Sequence, residues 1–325
     1  MFGKKSRKIL GMIFQVLVVV VLVTSIAFAN SESYTVQSGD SLIKIGAKLG
    51  INWRDLAKYN NIEDVSKIYI GEVLRLGPAY TMKDLNEQLV MATLWMQTAA
   101  EYRGLCYQAF NLAKMLVDKK LAEGISLKPL AIVVDCDEAI IDNSAYDAGL
   151  IGTENAYSSE TWDLWIQAAE AKAMPGSVEF LNYVYEQEVE TFYVTNRPMA
   201  TGYEGTMKNL QDLGYPNVDE KHLMLKTDTS NKQPRRDMVL EEYDVIFYLG
   251  DNCGDFSVDY YHASLEERNA VAAADKDKFG IEFIVLPNPI YGDWDGAIFE
   301  FNYGATDAEK DDYRKNALER WVAGD

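Results

Sequence analysis

Leu130-Ala131-Ile132-Val133-Val134-Asp135-Cys136-Asp137-Glu138 is the stretch whose reading decides the fold. Five apolar residues run without a break into a cluster of acids. Such a run reads as a strand buried on both faces. The pattern recurs downstream. Glu190-Thr191-Phe192-Tyr193-Val194 leads into Thr195-Asn196-Arg197, VIFYLG at 245–250 leads into Asp251-Asn252-Cys253-Gly254-Asp255, and EFIVL at 282–286 is a fourth run. Helical periodicity fills the intervals, at 177–187, 203–213 and 236–242. Strands alternating with helices predict an α/β fold built on a parallel sheet covered on both faces. Ligands of such sheets collect at the carboxyl ends of the strands. The three polar clusters therefore emerge along one edge.

That edge concentrates carboxylates, a hydroxyl and an arginine. Carboxylates crowded together repel, and burying them unpaired is costly. A hard divalent cation relieves this, and all-oxygen ligands of this kind suit Mg²⁺. Asp135 and Asp137 point to opposite sides of a continuing strand, so one can attack while the other handles protons. A carboxylate nucleophile implies an acyl phosphate, and phosphoryl oxygens need positive charge in the transition state. Residues 226–236, KTDTSNKQPRR, are the most basic run in the acidic part of the chain and the natural supply.

Composition narrows the field. Lys and Arg total 31 against 50 Asp and Glu, a net charge of −19. Residues 34–76 are near neutral, whereas 77–325 carry 21 basic against 44 acidic side chains. Such a body excludes a nucleic-acid polymer as partner, because a phosphate backbone needs a basic footprint. The two histidines, His222 and His262, offer no phosphohistidine setting. There is no G-x-S-x-G elbow, no phosphate-binding G-x-x-x-x-G-K-[ST] loop, and too few His and Cys for a zinc site. Of Cys106, Cys136 and Cys253, the last two lie in motifs that meet at the sheet edge, so a bridge between them stands beside buried free thiols.

The N-terminal region has its own grammar. Residues 1–29 carry Lys4, Lys5, Arg7 and Lys8, then a long apolar run ending in Ala27-Phe28-Ala29. This predicts a cleaved signal peptide, with an uncleaved membrane anchor as the other reading. Residues 34–77 predict a small β-α-α-β unit: a strand at 34–36, helices near 41–49 and 53–60, and a closing strand at 72–76. Gly77-Pro78 marks a boundary. Residues 82–122 are helical, with Gly104 as the expected break, and their Met, Trp and Tyr stripe reads as packing.

YTVQSGDSLIKIG, the pair Asn60-Asn61 and the closing IGEVLRL resemble a LysM module. The resemblance implies binding of peptidoglycan or another N-acetylglucosamine glycan, in a groove formed by Gly39, Asp40, Ser41 and Leu42 with Asn61, Ile62 and Ile70. For Leu42 and Ile70 a core position is the competing reading. DCDEAIIDNS, FYVTNR, the Lys of SNKQPRR and YLGDNCGDF, with WMQTAAEYRGLCYQAFNLAK, PGSVEFLNYV and LPNPIYGDW, resemble the HAD superfamily, subfamily IIIB, across 82–325. More narrowly they are similar to class C acid phosphatases and the outer-membrane lipoprotein 5′-nucleotidase group.

The resemblance implies a HAD-like Rossmannoid sheet with helical N-terminal and cap elements. It implies Asp135 as nucleophile, Asp137 as general acid and then base, Thr195 as a hydrogen-bonding partner of the phosphoryl group, and Lys232 as its counter-charge. Asp135, Asp137 (through its main-chain carbonyl), Asp251 and Asp255 are the implied Mg²⁺ set. Asn196, Arg197, Trp162, Tyr291 and Trp294 are the implied substrate residues. Trp162 also reads as one face of a packed helix with Trp165. One position departs from the family: the usual D-x-D-E-T has Ala139 in place of its Thr.

Together these readings predict an exported, wall-associated phosphomonoesterase using Mg²⁺. Its expected substrates are nucleoside 5′-monophosphates, nicotinamide mononucleotide among them. An acid phosphatase without nucleotide preference, and a wall-binding protein with an inactive HAD domain, are the alternatives.

Overall fold

The computed structural model describes residues 33–322 apart from Ile125. The predicted export signal, residues 1–29, lies outside them. The described residues form two compact units that divide between Tyr80 and Thr81. Among the described residues no helix is long and apolar enough to cross a membrane.

In the first unit, strand β1 (Ser33–Thr35) is followed by helices α1 (Leu42–Leu49) and α2 (Trp53–Tyr59) and by strand β2 (Val73–Arg75). The strands pair antiparallel, Tyr34 opposite Leu74. Ser41 caps α1 by accepting from the Lys44 N–H at 3.3 Å, and Gly50 ends it at φ +73°. A Cβ on Gly46 would stand 2.5 Å from the Ile51 carbonyl, so only glycine lets α1 and the following turn close up. Tyr34, Val36, Leu42, Ile45, Leu56, Ala57 and Leu74 form the core.

The second unit opens with α3 (Met82–Asn86), α4 (Leu89–Thr98) and α5 (Ala100–Glu123). Gly104 does not break this region. It lies inside α5, and the break falls at Ala99, whose backbone is extended at ψ 132°. The corner is packed by Trp95 against Tyr102, edge to face at 5.3 Å. Met96 and Tyr102 are buried in the main core, so the stripe is packing.

The remaining elements are β3 (Leu130–Val134), β4 (Ile141–Asp142), α6 (Ser144–Leu150), α7 (Ser159–Ala168), β5 (Lys172–Ala173), α8 (Ser177–Glu186), β6 (Glu190–Pro198), α9 (Met199–Asp212), β7 (Leu223–Lys226), α10 (Gln233–Glu242), β8 (Asp244–Gly250), α11 (Leu265–Ala274), β9 (Phe283–Val285), α12 (Asp293–Ile298) and α13 (Asp307–Asn316). Five strands make one sheet in the order β7-β6-β3-β8-β9. Every pairing in it is parallel. The four apolar runs are strands, as expected. β7 is an addition: its four residues LMLK alternate between buried and half-buried, the mark of an edge strand rather than a central one. A small antiparallel pair, β4 with β5, flanks the end of β3. Cys106, Cys136 and Cys253 are all free thiols, so the bridge between the last two is not formed.

Candidate active site

The central strand β3 delivers Asp135 and Asp137, while its neighbours β6 and β8 deliver Thr195 and Asp251. The edge is knit by the main chain, with the Asp135 N–H donating to the Leu249 carbonyl at 2.8 Å. Lys232 arrives from the turn before α10. Its ammonium lies between Asp135, at 2.5 Å, and Asp255, at 2.6 Å, and all three side chains are buried. Burial opposes the lysine charge, but the two carboxylates outweigh it and hold its pKa above the ordinary value.

One ammonium does not balance this cluster. Oxygens of Asp135, Asp251 and Asp255 all lie within 4.8 Å of one another. Burial pushes the Asp251 carboxyl well above its usual range, and the charges of Asp255 and Asp135 push it further. Burial raises Asp135 too, with the charges of Asp255 and Asp137, against the pull of Lys232. Crowded buried carboxylates with surplus negative charge are the donor set of a hard divalent cation. Asn288 holds one of them in place, its Nδ2 donating to Asp251 Oδ2 at 2.9 Å. The Asn252 N–H donates to Asp255 Oδ2 at 3.1 Å.

Asp137 sits in a different electrostatic setting. The buried guanidinium of Arg197 lies against it, Nη2 at 2.8 Å and Nε at 2.9 Å from Oδ1. Thr195 Oγ1 donates to Asp137 Oδ2 at 3.4 Å. Asn143 Nδ2 donates to Oδ1 at 2.9 Å. Glu138 follows with φ +55° and is fully buried. Burial, then the Asp137 charge, raises its pKa well above the ordinary range. It accepts from the Asn143 N–H at 2.7 Å and from Tyr291 Oη. Ala139 is buried in the main core. The loop closes there without a hydroxyl, through main-chain bonds from Ile140 and Ile141 to the Cys136 carbonyl, both at 3.0 Å.

These groups open into a cleft of about 480 Å³. Asp135, Asp137, Asp251, Asp255 and Lys232 form its polar floor, and Asn196, Arg197 and Lys226 line it too. Tyr146, Tyr157, Trp162, Tyr291, Phe299 and Tyr303 form an aromatic wall. Trp162 is packed edge-on to Tyr146 at 5.1 Å and also lies beside Tyr157, so it is both a packed face and cleft lining. Trp294 is not brought into the lining; it is exposed, and its Nε1 donates to the Tyr291 carbonyl at 3.1 Å. Thr195 is fully buried beside Asp137 rather than on the cleft wall. Arg235 and Arg236 act as staples, to the Thr195 carbonyl at 2.5 Å and the Asp255 carbonyl at 2.6 Å.

Asn143, Glu138, Tyr146 and Tyr157 stand at this site without having been singled out as functional residues in the sequence. The only sequence signal for the first two is their place in the DCDEAIIDNS loop. A floor of this kind can form and hydrolyse an acyl phosphate, with a fixed cation beside the nucleophile and a second carboxylate to move protons.

In the first unit the expected groove residues separate. Asp40 accepts from Tyr34 Oη at 2.7 Å and the Gln37 N–H at 2.8 Å, which hold its pKa below the ordinary range. Ser41 caps α1 and Leu42 is buried core. Gly39, Asn61 and Ile70 are exposed, and Ile62 is half-buried. Ile70, 73% exposed, is not a core residue.

Residues 77–294 match the family described as HAD superfamily, subfamily IIIB (Acid phosphatase). Residues 34–77 match the LysM domain. Two solved structures of the class C acid phosphatase from Bacillus anthracis are similar to this chain. The one with tungstate bound is 38% identical with a TM-score of 0.70, and the other 39% identical, also at 0.70. Each match covers 73% of this chain and 99% of the neighbour.

Proposed function

The chain belongs to the HAD superfamily, subfamily IIIB, the acid phosphatases, and carries a LysM domain; from that premise we propose an exported, wall-bound, Mg²⁺-dependent phosphomonoesterase that acts on nucleoside 5′-monophosphates. The carrying observation is Lys232 held at 2.5 Å from Asp135 and 2.6 Å from Asp255, while Asp137, two residues beyond Asp135, has its own arginine.

Asp135 attacks phosphorus and becomes the aspartyl phosphate. Lys232 lies against the attacking carboxylate and offsets charge on the phosphoryl oxygens. Asp137 gives a proton to the departing alcohol and then takes one from the water that cleaves the acyl phosphate. Asp135, Asp251 and Asp255, whose oxygens converge, would hold Mg²⁺, together with the main-chain carbonyl of Asp137. When bound, the ion withdraws negative charge from the phosphoryl group. Tungstate in the Bacillus anthracis relative supports the oxyanion reading, since it is a tetrahedral dianion like phosphate.

The aromatic wall supports a nucleoside as the leaving group. A base stacked on a ring gains about 1–3 kcal/mol. The exposed Ile70, with Gly39 and Asn61, supports a glycan surface on the LysM domain. The N-terminal export pattern and that domain together support a site of action at the cell wall.

The test is phosphate release from AMP by the full chain with Mg²⁺. EDTA and Asp135→Asn are each expected to abolish it. No release from AMP or from p-nitrophenyl phosphate would overturn the assignment. Trp162→Ala is expected to raise KM for AMP by about 5- to 150-fold, the stacking energy above, and to leave glycerol phosphate unchanged. Equal losses on both substrates would mark a phosphatase without nucleotide preference. Sedimentation with insoluble peptidoglycan tests the wall assignment, and a chain that stays in the supernatant would refute it.

A further inference from the structure

Asn143 is fully buried, and every polar atom of it is used. Its N–H donates to Glu138 Oε1 at 2.7 Å. Its Nδ2 donates to Asp137 Oδ1 at 2.9 Å and to Glu138 Oε2 at 3.2 Å. Its Oδ1 accepts from Trp165 Nε1 at 2.8 Å and from Arg197 Nη2 at 3.2 Å. Its carbonyl accepts from the Tyr146 N–H at 2.8 Å. The amide orientation is fixed by chemistry. Reversed, its oxygen would meet two carboxylates and its nitrogen two N–H donors. No other uncharged side chain of this size presents two donors and two acceptors in one plane.

We propose that Asn143 is the positioning residue of Asp137, fixing which carboxylate oxygen exchanges the proton during phosphoryl transfer. The inference rests on the phosphatase reading above. Three N–H groups converge on Asp137 Oδ1: Asn143 Nδ2, Arg197 Nε and Arg197 Nη2. A proton on Oδ1 would collide with them. Oδ2 receives only the longer contacts, from Thr195 Oγ1 at 3.4 Å and Arg197 Nε at 3.3 Å. Oδ2 is therefore the oxygen that carries the proton. As the Asp135 oxygen bonds to phosphorus, the electrons of the breaking P–O bond pass to the leaving oxygen. That oxygen takes the proton from Oδ2. Asn143 and Arg197 hold the carboxylate so that this one oxygen stays open.

The signature of such a role is dependence on the leaving group. An alkyl alcohol leaves poorly without a proton, whereas p-nitrophenolate leaves without help. The quantity to measure is kcat/KM for glycerol phosphate and for p-nitrophenyl phosphate, since it reports only steps up to the phosphoenzyme. In the full-length chain Asn143→Asp keeps the shape and the acceptor for Trp165 and removes the donor to Asp137. It is expected to lower kcat/KM for glycerol phosphate by about tenfold or more, a part of the 10²–10⁴ a general acid supplies. The loss on p-nitrophenyl phosphate should be several-fold smaller. Asn143→Ala should reproduce that imbalance. Trp165→Phe removes a donor to Asn143 Oδ1 but keeps every donor to Asp137 Oδ1, so it should shift the ratio of the two substrates far less than Asn143→Asp.

Thermal unfolding of each variant controls for folding. Equal losses on both substrates in folded Asn143 variants would overturn the proposal while leaving the phosphatase reading intact. So would a Trp165→Phe ratio shifted as far as that of Asn143→Asp. A wild-type chain inactive on both substrates would instead sink the underlying reading. Where Asn143→Asp fails to fold, the ratio in Asn143→Ala decides.

Discussion

At the scale of single residues, Asp147 is the clearest unresolved cost. Its carboxyl is buried at the cleft, and Oδ2 has no hydrogen-bond partner among the described residues. Burial, then the Asp142 charge, raises its pKa from 3.8 to about 7. With this carboxyl ionised near pH 8, the folded state is therefore less stable relative to the unfolded chain by roughly 4 kcal/mol, at about 1.4 kcal/mol per pKa unit. Between pH 4 and pH 7 the folded state holds a proton that the unfolded chain has released, so this residue makes stability fall as pH rises. Asp147→Asn should raise the Tm at pH 8 and change it little at pH 4. An equal shift at both pH values would refute the assignment. Residue identity alone tells much of this site and misses the rest. Asp135, Asp137 and Asp251 are legible because each interrupts an apolar strand where a strand should end. Lys232 is legible as the cation in a basic run. Asn143 and Glu138 are not, since their role exists only in hydrogen bonds that join β3, α7 and the Tyr291 segment. Trp294 carried the right chemistry at the wrong place, because its exposed ring is not part of the cleft that Tyr291 lines.

At the scale of elements, the site depends on how closely α9 approaches α7. A Cβ on Gly205, inside α9, would fall 2.3 Å from the Ile166 carbonyl of α7. That atom is backbone and cannot rotate away. The contact fixes the helix carrying Trp162 and Trp165, hence the aromatic wall and one partner of Asn143. Gly205→Ala should destabilise the chain by about 1–3 kcal/mol, the usual cost of overpacking. The measurement is the urea midpoint at constant m-value, and an unchanged midpoint would show that the helices are not pressed together. Four strands of the sheet were readable because each carries a continuous apolar run, even β9, an edge strand of three residues. β7 was not, since its apolar run is only Leu223-Met224-Leu225 before Lys226 and alternates between buried and half-buried. Gly104 misled for a related reason. Glycine lowers helix propensity by about 1 kcal/mol, yet α5 is 24 residues long with a packed face that absorbs this. The turn was set at Ala99 by the meeting of Trp95 and Tyr102, a tertiary contact without a local signal.

At the scale of the whole molecule, the charge is divided as the work is. Residues 34–76 are nearly neutral, and the surplus acid lies in residues 77–325. The phosphomonoester cleft and all its floor residues belong to the second unit. The LysM domain has a thin core of seven buried side chains, Leu56 among them and fully buried. A small core stabilises by only a few kcal/mol in total, about 3–5. An unpaired carboxylate in place of Leu56 costs at least that much. In the full-length chain, Leu56→Asp should therefore unfold the LysM domain alone. Retention on insoluble peptidoglycan should be lost, while kcat/KM for p-nitrophenyl phosphate stays within about twofold. The second half of that outcome carries the weight, because loss of binding alone would follow from any global unfolding. A parallel loss of hydrolysis would mean that the two units fold together. Retained binding with an unfolded LysM domain would place the glycan site elsewhere in the chain.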